Sequence, residues 1–273
     1  LGSAPFSASG VVDLLNGSEP TLDLKLQGSD LLLFRQQGVK LRSDADLHIV
    51  GPLSQLKVQG EIELTDGRYT KPVDFFMPLL KEGSPPSAGV EGISLFSLAP
   101  PLDAMTFDIA VKPGSGFRVK TNVANGLIEP ELRLVGTGEV PYLLGEVYID
   151  QFLLSLPANN IRIERGAVRF LEENPFMPTL DIRAGYRRFG YDVTILVHGE
   201  LSAPEITLSS IPPLSAEELL MLTTTGQPPT ESIDAESALG TVAVYLAKDW
   251  IRRFFGSMST EEEASMLDRL EIE

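Results

Sequence analysis

The chain has no cysteine, and that one absence removes disulfide frameworks, cysteine-based metal sites and thiol nucleophiles together. It leaves the redox compartment open. Histidine is nearly missing too, with only His48 and His198. Positive charge is scarce: 22 Lys and Arg stand against 38 Asp and Glu, a net charge of -16. A nucleic-acid partner needs clustered basic residues and draws affinity from counterion release, so this balance argues against one. An anionic bilayer surface would be repelled as well, so any attraction to lipid must come from apolar burial. No stretch approaches the roughly 18 to 20 uninterrupted apolar residues of a membrane-spanning helix, and neither an initiating Met nor a charged-then-apolar leader is present. We expect a soluble fragment of something longer, with 273 residues ample for a sizeable core.

What the chain does have is alternation. From Asn159 to Ser210 the apolar residues Ile161, Ile163, Val168, Phe170, Leu180, Ile182, Val193, Ile195, Val197, Ile206 and Leu208 each lie two positions from a partner, the period of a strand with one apolar face. Turn-forming residues stand between the groups at Arg165-Gly166, Glu173-Asn174-Pro175, Phe189-Gly190 and 199–204. The opposite face carries Arg162, Glu164, Arg169, Asp181, Arg183, Asp192 and Thr194. One face of a hairpin meander therefore sees water, and the other needs an apolar partner.

The same pattern runs through the rest of the chain. Thr21 to Gln27 puts Leu22, Leu24 and Leu26 on one face, and Leu31-Leu-Leu-Phe34 reads as a short run covered on both faces. Leu47-His-Ile-Val-Gly51 leads to Gly60-Glu-Ile-Glu-Leu64, as Leu132-Arg-Leu-Val-Gly136 leads to Gly145-Glu-Val-Tyr-Ile149; Ile195 to Ser202 makes a third copy. The glycines are expected to supply positive φ or bulges. Prolines and glycines from about 71 to 101 mark an irregular loop insertion, with one helical turn expected at Phe75. Strands resume at Thr106 to Val111 and Phe117 to Lys120. After Pro213, Ser215-Ala-Glu-Glu218 is a capping box opening a short helix. A second, amphipathic helix is expected over about 236–255, with Leu239, Ala243, Leu246, Trp250 and Phe254 as one stripe that packs on its own domain or serves as a lid or partner helix. Residues 266–272 read as the start of another strand. The fold class is all-β with minor α. Repeated antiparallel hairpins over 1–210 form a half-open groove or solenoid with an apolar interior, and 211–273 carries two C-terminal helices and that last strand.

Catalytic patterns are weak. Asp44, Asp46 and His48 share one strand face, which a solvated surface explains as well as a metal would. No strand-to-helix nucleophile elbow occurs, and the carboxylates show no sign of the unequal environments that acid/base pairs need. We expect a non-enzyme with no metal and no cofactor. Three readings remain: an apolar trough for lipid acyl chains, a β module that binds protein through its edges, and, weakest, a carbohydrate-active solenoid.

The segments Asn160-Ile-Arg-Ile-Glu-Arg-Gly-Ala-Val-Arg-Phe170, Asn174-Pro-Phe-Met-Pro-Thr-Leu-Asp-Ile182, Val197-His-Gly-Glu-Leu-Ser-Ala-Pro-Glu-Ile206 and Ser209-Ser-Ile-Pro-Pro-Leu-Ser-Ala-Glu-Glu-Leu219, in that order, resemble the C-terminal domain of the TamB family. The match is densest from Gly145 to Leu222, and the chain before Val140 fits the family's looser repeats. The resemblance implies a taco-like β fold and membership of the AsmA-like bridge-like lipid carriers of the periplasm, which move phospholipid between inner and outer membranes. It also implies an outer-membrane barrel partner, TamA, and a role in assembling or secreting outer-membrane proteins, which supplies the alternative of a chaperone-like factor. On this resemblance the inner-membrane anchor lies outside the sequence, and the TamA contact, past a segment like Leu267-Asp268, is incomplete in it. The expected groove lining is Leu22, Leu24, Leu26, Ile62, Leu64, Leu132, Leu134, Val147 and Ile149, continued by Ile161, Ile163, Val168, Phe170, Leu180, Ile182, Val193, Ile195, Val197, Ile206 and Leu208. A charge placed at Ile163, Phe170 or Ile195 is expected to block lipid and leave the fold intact.

Overall fold

Twelve strands form one sheet in the computed structural model, which describes residues 4–14, 19–72, 97–98, 102–155, 159–224 and 226. They are β1 (Phe6–Asp13), β2 (Thr21–Gln36), β3 (Val39–Pro52), β4 (Lys57–Tyr69), β5 (Thr106–Lys112), β6 (Phe117–Lys120), β7 (Ala124–Thr137), β8 (Pro141–Ser155), β9 (Asn160–Phe170), β10 (Thr179–Arg188), β11 (Tyr191–Glu200) and β12 (Glu205–Ile211). One helix, α1 (Ala216–Thr224), follows. Nearly all of the insertion at 71–101, the helix expected at 236–255 with Leu239, Leu246, Trp250 and Phe254, and the strand expected at 266–272 lie outside the described residues.

Strand order follows the chain, with antiparallel neighbours throughout except at one step. There β5 and β6 lie between β4 and β7, parallel to β4 and antiparallel to β7. The expected antiparallel hairpins are interrupted at this one step, because a parallel neighbour forces the chain to travel back before it pairs. Residues 70–105 separate β4 from β5.

Two readings are corrected by bulges. Arg165-Gly166 is no turn: β9 runs straight through it, with Arg165 opposite Arg183 and Gly166 opposite Ile182, and the register slips between Arg183 and Ala184. The extra residue restores parity, so that Ile161 and Ile163 share a face with Gly166, Val168 and Phe170 despite the odd spacing. Likewise Leu31 to Phe34 is the far end of β2 after irregularities at Gly28/Leu31 and Leu32/Phe34, and Leu33 is 49% exposed. That run is not covered on both faces. Phe189-Gly190, by contrast, is the tight turn its residues imply, with φ of 49° and 84°.

Register aligns the apolar residues into rows that cross the sheet. One runs Gly67, Phe117, Ile128, Ile149, Gly166, Ile182, Val197, Ile206, each opposite the next. A second row, six residues away along β7, runs Leu26, Leu47, Gly60, Ile109, Leu134, Leu143. Phenylalanines fill the gaps that glycines leave: a Cβ on Gly67 would fall 2.4 Å from the Phe117 ring, and one on Gly126 would fall 2.3 Å from the Phe152 ring. Two other glycines bend the strands. Gly60 (φ 142°) and Gly145 (φ 114°) occupy backbone space closed to other residues, and a Cβ would meet the Asp46 carbonyl oxygen at 2.1 Å or that of Glu131 at 2.3 Å. The recurring glycines of the sequence copies, Gly51, Gly60, Gly136, Gly145 and Gly199, all have positive φ, as expected, and at Gly60 and Gly145 a neighbouring strand also approaches too closely for any side chain.

The other face is polar and tiled with ion pairs, among them Asp23–His48, Lys112–Glu61, Arg133–Asp108, Arg169–Glu146 and Arg183–Glu164. Exposed pairs of this kind add little stability each. They keep that face wet and so fix which side of the sheet turns inward.

Candidate functional site: an apolar trough closed at one end

Burial divides the expected lining residues into two groups. Leu64, Ile161, Ile163, Phe170, Leu180, Ile182, Val193, Ile195 and Val197 are buried, Ile182 and Val193 to 2% exposure. Leu22, Leu24, Leu26, Ile62, Leu132, Leu134, Val147, Ile149, Val168, Ile206 and Leu208 are only half-buried. All of them share one face, yet β9 to β11 pack it most tightly, while every lining residue on β2, β7, β8 and β12 stays half-buried.

Helix α1 accounts for part of the difference. Ser215 and Glu218 form the capping box: the Ser215 amide donates to Glu218 Oε2 at 2.8 Å, and the Glu218 amide donates to Ser215 Oγ at 3.3 Å. The cap starts the helix where Leu219 (4%) and Leu222 (0%) enter the apolar face. Its nine residues are about 13 Å long. Four strand steps from β8 to β12 span roughly 19 Å at about 4.8 Å each. So short a helix cannot cover that width alone. One packed cluster nevertheless joins Val119, Phe152, Ile163, Ile182 and Ile195 of the sheet with Leu222 of the helix.

A buried polar latch pins the end of the helix. Asn159 Nδ2 donates to the carbonyl oxygens of Leu222 and Thr223, both at 2.8 Å, and Asn159 Oδ1 accepts from Arg188 at 3.3 Å. Tyr186 Oη lies 2.8 Å from Thr223 Oγ1, which itself donates to the Leu219 carbonyl at 2.6 Å. Helix ends leave carbonyls without intrahelical partners, and here the sheet supplies them. None of Asn159, Tyr186, Arg188 and Thr223 carries a sequence signal, since only the topology brings positions 159, 186 and 223 together.

Burial pushes the Tyr186 phenol above its ordinary value of 10.0, with the hydrogen bond to Thr223 and the Arg188 charge pulling the other way. A folded-state value above the unfolded one means that this contribution is complete below the unfolded value and is lost as pH rises through the folded one. Among the described residues the groups acting on the phenol are Thr223, at hydrogen-bond distance, and the charged Arg188. Thermal stability should accordingly fall as pH climbs above about 10. A Tyr186→Phe variant should be less stable at neutral pH and should lose part of that alkaline decline. Melting temperatures measured across the range would check this, and parallel alkaline profiles for the two proteins would refute it.

Chemistry beyond packing is sparse. His48 Nε2 sits 2.7 Å from Asp23 Oδ1, and His198 Nε2 sits 3.1 Å from Glu205 Oε2 on the polar face. Asp46 instead faces Lys25 and Gln27, and Asp44 accepts from the Asp30 amide, so Asp44, Asp46 and His48 each have a separate partner. Among the described residues no three His, Asp or Glu side chains converge on a metal-sized site, and no helix is long and apolar enough to cross a membrane.

A search of curated proteins gave no match. The family model of the TamB C-terminal domain matches residues 2–272, nearly the whole chain, and so extends the likeness well beyond the segments that carry it most densely. With its single long sheet and continuous apolar face, the chain belongs to the TamB C-terminal domain family.

Proposed function

We propose that this chain is a length of conduit wall in the periplasm, part of a protein anchored in the inner membrane, and that it shields phospholipid acyl chains on their way between the two membranes. The observation that carries the reading is the unequal burial of one continuous apolar face. Over β9 to β11, where Leu219 and Leu222 of α1 join the packed cluster, the face is a core; over β2 it offers Leu22, Leu24 and Leu26 half-covered, beside Ile62 of β4. Moving a methylene from water to such a surface gains about 0.8 kcal/mol, so an acyl chain is held without any polar contact. No step of this role requires catalysis.

The second reading, assembly of outer-membrane proteins with TamA, is favoured by β1. Among the described residues it pairs only with β2, and its sequence from Phe6 to Asp13 contains no proline or lysine to discourage another strand. A photo-crosslinking residue placed at Leu24, at Lys25 on the polar face, and at Ser9 on β1 separates the two. Lipid adducts at Leu24 and none at Lys25 are the expected result. Polypeptide adducts at Ser9 with no lipid at Leu24 would transfer the function to strand templating.

A further inference from the structure

Charge on the polar face is arranged against its own neighbours at one place. Arg35 of β2 lies opposite Lys40 of β3, Lys40 opposite Arg68 of β4, and Arg68 opposite Arg118 of β6. Four bases thus stand side by side in register, and Lys120 follows Arg118 on the same face. Like charges directly opposite one another destabilise a sheet. Elsewhere the face resolves such meetings: Asp46 lies opposite Glu61, but Lys25 and Lys112 attend to them. Among the described residues the single counter-charge in the basic row is Asp66, shared between Lys40 at 2.6 Å and Arg68 at 2.9 Å. No other run of four like charges occurs in register among the described residues. In a chain of net charge -16 this is a local inversion of sign.

The row's position says what would supply the missing anion. It sits where β2, β3, β4 and β6 end, and Arg35, Lys40 and Arg68 line an open hollow of about 590 Å³ with Gly38 and Thr70. One residue further along the strands, Val39, Tyr69 and Val119 lie opposite one another on the apolar face. A molecule with its tails against that face and its head turned over the strand ends meets the basic row. Long Lys and Arg stems reach round such an edge while their heads remain in water, and guanidinium forks match phosphate oxygens in pairs.

We propose that Arg35, Lys40, Arg68 and Arg118 bind the phosphodiester of phospholipids whose acyl chains lie in the trough. This rests on the trough reading above. The test compares loading of the chain with phosphatidylglycerol and with diacylglycerol of the same acyl chains, read by native mass spectrometry after incubation with vesicles of each. The triple variant Arg35→Gln/Arg68→Gln/Arg118→Gln should lose phosphatidylglycerol loading by about tenfold or more, as expected for losing charge-assisted hydrogen bonds. It should keep diacylglycerol loading and a melting temperature no lower than that of the unmodified chain, because these side chains are exposed and their removal relieves like-charge repulsion. Arg133→Gln/Arg183→Gln, which removes two bases from the middle of the same face, should change neither lipid. Equal loss of both lipids in the triple variant, or no loss of phosphatidylglycerol, overturns the assignment. If inorganic phosphate alone shifts the NMR signals of the row's arginine side chains while phosphatidylglycerol loading ignores their substitution, the site belongs to free phosphate and the proposal also fails. A wild-type chain that loads neither lipid refutes the trough itself.

Discussion

Ile182→Asp is expected to unfold the C-terminal half of the sheet, whereas Leu24→Asp, chemically the same kind of change on the same face, is expected to leave the fold standing. Ile182 is 2% exposed and lies opposite Gly166 on one side and Val197 on the other. The substitution removes a buried aliphatic side chain, worth about 1.5–3 kcal/mol, and puts a carboxylate where no base can reach it. A loss of about 4–5 kcal/mol or more follows, against total stabilities of about 5–15 kcal/mol for ordinary domains. Leu24 is half-buried beside Gly10 and Ile49, with water at hand to solvate a carboxylate, and its loss should cost about 1 kcal/mol. Urea midpoints for the two variants measure the contrast. If Leu24→Asp lowers the midpoint as much as Ile182→Asp, the N-terminal face is as tightly packed as the C-terminal one and the trough is not open there. The same reasoning revises the expectation for Ile163, Phe170 and Ile195, which are 4%, 9% and 7% exposed. Charges there would break a core, so a loss of lipid binding in those variants would not by itself identify a groove.

Period two was the most legible feature of this chain, because a half-wet sheet writes its two faces into alternate positions. It located nearly every described strand and the polar side of His198. Bulges defeated it twice. At Arg165-Gly166 a residue pair that reads as a turn is paired within β9, next to the extra residue Glu164 that restores parity, and at Asp30, where φ is 53°, β2 continues through a break in the alternation. Glycine chemistry was legible in kind, as at Gly60 and Gly145, but the carbonyl each one makes room for belongs to another strand and leaves no local trace. Long-range assembly was not legible. The parallel step at β4, the latch around Asn159 and the basic row each depend on which strands become neighbours. Net charge concealed a local exception for a related reason: within a total of -16, register gathers Arg35, Lys40, Arg68 and Arg118 into one line.

Leu222 tests whether α1 is a fixed part of the core or a stopper seated in the trough. Its side chain is fully buried, so Leu222→Ala should cost about 2–5 kcal/mol if α1 and the sheet open together. Asn159→Ala attacks the same contact from the sheet side, leaving the Leu222 and Thr223 carbonyls without their donor, at about 1–3 kcal/mol. The two residues touch one structure, so the double variant should fall short of the sum of the singles. Where that energy appears is the informative part. In a fixed core, hydrogen exchange should quicken in α1, β10 and β11 alike and the global urea midpoint should drop. With a seated stopper, exchange should quicken in α1 alone while β10 and β11 stay protected, since their backbone ladder does not depend on the helix. The second outcome would join the face beneath α1 to the half-open face over β2, and a photo-crosslinker at Ile195 should then capture lipid in Leu222→Ala but not in the unmodified chain. We expect the first outcome, because Leu222 belongs to the same packed cluster as Ile182 and Val193, both 2% exposed, and removing the helix would expose that cluster directly to water.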